Sequence, residues 1–130
     1  LANVVANWAA TIQPLAVEVG EPVSWFPAPF QVIILPVLHT PALFNALVAI
    51  RDAVARAGLP LATVTPPENW TFHLTLATCG RLESSAWTEA QRIARTCEVR
   101  GPTRAVVTAA ELVVFDNGTE SSGGSFPLGC

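Results

Sequence analysis

The stretch Thr71-Phe72-His73-Leu74-Thr75-Leu76-Ala77 decides how this chain reads. Polar and apolar residues alternate there with the period of a β-strand, which places His73 and Thr75 on one face and Phe72, Leu74 and Leu76 on the other. An imidazole exchanges a proton near neutral pH, and a hydroxyl two residues away can hydrogen-bond an oxygen of the same reacting group. Such a pair suits phosphoester chemistry that needs no metal. The plainer alternative for any His-x-Thr is a half-buried strand whose polar face meets water or a helix cap.

Composition narrows the surroundings of this strand. With 130 residues the chain can bury a real core as one domain. Hydrophobic residues make up 51% and the mean hydropathy is +0.44, so substantial buried strands are expected. Pro, Gly, His or Arg breaks every apolar run short of the ~18 residues a membrane span needs, and no signal-peptide pattern opens the sequence. A soluble, cytoplasmic location without membrane contact is expected. All seven cations are arginine and the net charge is −3, so there is no general field to attract nucleic acid and any RNA contact must be local. Cys79, Cys97 and Cys130 have neither C-x-x-C spacing nor nearby histidines, so reduced thiols are expected rather than a disulfide scaffold or a zinc site. Because the first residue is Leu1, processing, truncation or a further amino-terminal segment is expected.

Moving outward from the strand, Val4, Val5, Trp8 and Ile12 share a helical face over 2–13, and Pro14 ends it. Strands are expected at 15–19, 23–26 and 30–37, joined as a meander. Thr40 and Pro41 then supply an N-cap and a first helical residue, and the apolar stripe Leu43, Phe44, Leu47, Ile50 and Val54 closes at Gly58. The proline-rich stretch 59–69 reads as a loop leading into the His73 strand. Ser84 or Ser85 is expected to cap a further helix stopped by Gly101-Pro102, with strands at 104–108 and 111–115 after it. Residues 117–124 read as a mobile hairpin loop and 126–128 as a short edge strand.

This order, with Phe30 to Val37, the Thr40-Pro41-Ala42-Leu43 helix start, Phe72-His73-Leu74-Thr75-Leu76-Ala77 and the closing Phe126-Pro127-Leu128-Gly129, resembles the two-histidine phosphoesterase superfamily. The similarity is to the carboxy-terminal two-thirds of its 2′-5′ RNA ligase and cyclic phosphodiesterase branch, and it covers nearly the whole of this chain. It implies one α+β domain over 1–130, with antiparallel sheets flanked by helices and the amino-terminal part of the first lobe not represented. It also implies two His-x-Thr strands, one histidine removing a proton from the attacking hydroxyl and the other protonating the leaving oxygen, with no metal or cofactor. His73 and Thr75 match the second motif. The implied ligand is RNA or a nucleotide with a cyclic phosphate end, and an upstream segment or partner chain would complete the site.

Departures from that pattern keep a second reading open. His39 is the only other histidine, but in His39-Thr40-Pro41 a proline stands where the family has threonine, so a loop histidine at the mouth of a helix is the better reading. Thr78 stands where relatives often carry a phosphate-binding arginine; Arg81, past Gly80, is the candidate substitute, against a solvated loop arginine. Trp70 is the candidate to stack on a base, against a tryptophan that anchors its loop. Two functions follow: a metal-independent phosphodiesterase or RNA ligase-like enzyme, or a catalytically degenerate fold kept as a nucleotide-binding or assembly module.

Overall fold

The structure is a computed structural model that describes residues 1–20, 23–61, 65–98, 103–116 and 119–129. Its elements run α1 (Ala2–Thr11), β1 (Leu15–Glu18), β2 (Ser24–Phe26), β3 (Val32–Pro36), α2 (Pro41–Arg56), a 3₁₀ turn (Pro67–Asn69), β4 (His73–Thr78), α3 (Ser84–Thr96), β5 (Arg104–Val107), β6 (Ala109–Asp116) and β7 (Thr119–Pro127). Helices and antiparallel sheets together make it an α+β fold. The chain divides into two compact units, one of Leu1–Ala16, Thr40–Trp70 and Val106–Cys130, the other of Val17–His39 and Thr71–Ala105. None of the helices, searched over the described residues, is long and apolar enough to cross a membrane.

In the first unit α1 meets α2 through small residues. Ala9 is fully buried and Ala46 nearly so, and the close approach lets the Trp8 indole donate to the Ala46 carbonyl at 3.1 Å. The start of α2 is fixed by its own residues: Thr40 Oγ1 accepts from the Leu43 amide at 3.2 Å, and Pro41 fills a position whose N–H needs no partner. Gly58, at φ +69°, ends the helix in the left-handed conformation that glycine adopts without cost.

The hairpin β6–β7 corrects the expectation of a mobile loop, because residues 119–124 belong to β7 and pair with β6. Asn117 and Gly118 lie outside the described residues. The glycines that read as loop punctuation serve the strand instead. A Cβ on Gly123 would stand 3.0 Å from the Leu112 side chain and one on Gly124 only 2.9 Å from the Phe126 ring. They sit at a register shift between Leu112 and Val113, where an irregular ladder needs backbone without side chain.

The second unit is built on an antiparallel sheet in the order β2-β3-β4. Its middle strand carries the continuous apolar run Ile33-Ile34-Leu35, and all three are buried, Ile34 to 2% exposure. Only a central strand covered on both faces suits such a run. Here the expected meander is corrected: β2 and β3 pair as neighbours, but β1 pairs with β5, meeting the β3 end only through the bridge Val19–Val37. Charge helps to hold the β1–β5 pair, since Arg104 Nε donates to Glu18 Oε2 at 2.9 Å. A second correction concerns α3, whose N-cap is Glu83 rather than a serine. The Glu83 carbonyl already accepts from the Trp87 amide at 2.9 Å, so Ser84 is the first helical residue. The helix ends at Thr96, and its expected stop, Gly101-Pro102, lies outside the described residues.

Candidate functional site

The β3–β4 register assigns faces residue by residue. His73 lies opposite Pro36, Leu74 opposite Leu35, Thr75 opposite Ile34, Ala77 opposite Ile33 and Thr78 opposite Val32. Opposed residues share a face, so His73, Thr75 and Thr78 lie on one side, with Leu74 and Ala77 on the other. Leu76 has no partner: it is the extra residue of a β-bulge. Without the bulge Thr78 would fall on the leucine side, and with it the polar row His73, Thr75, Thr78 is continuous.

Helix α3 covers the opposite face. Ile33, Leu76 and Ala77 line an apolar pocket of about 400 Å³ together with Ile93, Cys79 and Cys97, and the Arg95 guanidinium lies 4.7 Å over the Trp25 ring. Both cysteines are free thiols. The polar row therefore faces away from α3, and Thr75 and Thr78 are exposed. Leu74 and Leu76 fall on the apolar side of the alternation, yet they are 50% and 45% exposed. The edge position of β4 and the bulge explain why alternation overstated their burial.

His73, half-buried, is held at two points. Its Nδ1 lies 2.9 Å from the Thr71 carbonyl oxygen. A carbonyl can only accept, so Nδ1 is the donor of this bond, and in the neutral form of the ring Nε2 is then the nitrogen without a proton. The Phe26 ring meets the imidazole edge to face, with centroids 5.0 Å apart and planes at 81°, which limits rotation of the ring. Nothing in the sequence signals this contact between β2 and β4. An oriented imidazole with a free Nε2 can take or give a proton, and Thr75 on the same face can hydrogen-bond a phosphoryl oxygen.

The other candidates are placed as follows. The His39 ring meets Phe72 edge to face, centroids 5.5 Å apart with planes at 61°, and Phe72 alternates to the side away from His73. The two histidines are thus not brought together as an acid–base couple. Trp70 is half-buried at the end of the 3₁₀ turn in the first unit, its amide donating to the Pro67 carbonyl at 3.2 Å. Arg81 is exposed, beyond the end of β4 opposite to His73. Among the described residues, no three His, Cys, Asp or Glu side chains gather so as to hold a metal ion.

No protein-family model matches the chain, and no curated protein matches it significantly. The functional reading therefore rests on the residues themselves.

One feature gave no warning in the sequence. Gln31, 6% exposed and at φ +45°, uses its side-chain amide like a short piece of strand. Its Nε2 donates to the Leu82 carbonyl at 3.1 Å, its Oε1 accepts from the Leu82 amide at 2.5 Å, and its own carbonyl accepts from the Cys79 amide at 3.0 Å. These three bonds fix the loop that carries Arg81.

Proposed function

We propose that this chain carries one half of a metal-independent phosphoester site, acting on an RNA 2′,3′-cyclic phosphate or a 2′-5′ linkage. His73 is the general acid or base and Thr75 the phosphoryl ligand. The observation that carries this reading is the Nδ1 bond of His73 to the Thr71 carbonyl, which leaves Nε2 available on the same face as the exposed Thr75. In cyclic phosphate hydrolysis, Nε2 takes the proton of the attacking water as its oxygen bonds to phosphorus. The P–O3′ bond breaks, the 3′ oxygen takes a proton from solvent to leave a 2′-phosphate, and Nε2 then returns its own proton to solvent. Thr75 donates to a non-bridging oxygen as negative charge grows there. No step calls for a cofactor.

A second reading, a nucleotide-binding module without turnover, is favoured by the position of His39, which leaves His73 without a second histidine on its face. An assay with a cyclic-phosphate-ended oligonucleotide and excess chelator separates the two. Turnover that survives the chelator and falls about 10²- to 10⁴-fold in His73→Ala supports the enzyme. Binding of the 2′-phosphate product without turnover supports the module. Loss of both activity and binding on chelation, restored by a divalent ion, refutes the metal-independent site.

A further inference from the structure

We propose that the pocket between α3 and the sheet binds a small uncharged apolar molecule, a short alkyl chain or a single ring. The site is separate from His73 and does not depend on the phosphoester reading, because it lies on the opposite face of the sheet from the polar row. Its origin is in the sequence of α3. Ala90, Ile93, Ala94 and Cys97 recur at the spacing of one helical face, and all four line the pocket. Three of the four are small. A helical face packed on a sheet ordinarily carries side chains that fill the space between them, but here about 400 Å³ stays open, within the ~300 to 1,000 Å³ typical of small-molecule sites. The walls bear the cost: Leu76, the bulge residue, and Ile93 both line this pocket and both are close to half exposed. A hydrocarbon seated between them would take that apolar surface out of water.

The lining also decides the class of ligand. Among the described residues it holds no carboxylate, guanidinium, amide or hydroxyl side chain, and beyond hydrocarbon it offers only the thiols of Cys79 and Cys97, which are weak donors. The neighbouring guanidiniums on α3 are engaged elsewhere, Arg92 with Glu89 and Arg95 over Trp25. An ion or a sugar would lose hydration there with nothing to replace it, whereas a hydrocarbon has no such cost. The two thiols, one half-buried and one exposed, give the site its own chemical reporter.

The test titrates the whole chain with 1-butanol, 1-hexanol and 1-octanol while iodoacetamide alkylates the cysteines, each followed by peptide mass and compared with free cysteine in the same solution. Bound alcohol should slow alkylation of Cys79 severalfold and of Cys97 to a lesser degree, with free cysteine unaffected. Affinity should rise about fourfold for each added methylene, the factor for moving one such group out of water. Ala90→Leu keeps a good helix former on α3 and puts its side chain into the pocket, so it should abolish the protection without lowering the thermal midpoint. Should that variant fail to fold, the alcohol series on the unaltered chain decides alone. No protection up to the solubility limit of octanol, an affinity that ignores chain length, or a folded Ala90→Leu still protected by octanol overturns the site. Protection that follows protein concentration without any alcohol means that a second copy covers the pocket, and overturns it as well.

Discussion

Replacing Gln31 tests how much of the second unit hangs on one side-chain amide. Gln31→Ala removes two hydrogen bonds to Leu82 and keeps the left-handed backbone conformation. Each bond contributes about 1 kcal/mol net, and Leu82 is 37% exposed, so water replaces part of what is lost. A loss of about 2 kcal/mol is expected, close to 8 °C in thermal midpoint at roughly 4 °C per kcal/mol for a chain of this size. Gln31→Gly loses the same bonds but relieves ~1 kcal/mol of left-handed strain, so it should recover roughly half of that drop. Thermal unfolding followed by circular dichroism measures both. A glycine variant as unstable as the alanine one, or two variants indistinguishable from the parent, would refute the clamp.

Other expectations follow from single contacts. Thr40→Ala should cost about 1 kcal/mol, because the Leu43 amide loses its cap, and Thr40→Asn should restore most of it in the same unfolding assay. Gly124→Ala forces a Cβ against the Phe126 ring at φ +133° and should destabilise the β6–β7 hairpin, read as loss of amide exchange protection in 109–127 with β4 unaffected. Glu89 is held below the usual carboxylate range by its hydrogen bond to Arg92. A lowered folded value means that the pair's stabilisation is present above the ordinary glutamate pKa and is lost as pH falls through the folded one. Arg92→Ala should return Glu89 to the ordinary range in a carboxyl NMR titration and leave the thermal midpoint nearly unchanged, since both side chains are largely exposed.

Much of the fold was legible where a local signal was strong. Thr40, Pro41 and Gly58 bound α2, and the alternation of His73, Leu74 and Thr75 holds in the register, because cap chemistry and pleat are local properties. The misses were non-local. Nothing near Leu15 says that its strand pairs with residues almost ninety positions later, since a short apolar strand carries no label for its partner. Gly123 and Gly124 read as loop because glycine favours turns, whereas here they make room for Leu112 and Phe126. The bulge at Leu76 and the amide clamp of Gln31 depend on partners across the sheet, so composition and spacing could not announce them. At the candidate site, the shared face of His73 and Thr75 follows from alternation, while the contacts that orient the imidazole, and the placement of Thr78, needed the register.

In the proposed site His73 offers Nε2 to a phosphoryl group. Long-range ¹H–¹⁵N spectroscopy of the histidine rings tests it most directly, because the chain has only two histidines to distinguish. Neutral His73 should carry its proton on Nδ1, and a 2′-nucleotide should shift the His73 Nε2 resonance toward the protonated form while His39 stays unmoved. A His73 proton on Nε2, or a ring that ignores the nucleotide, would contradict it.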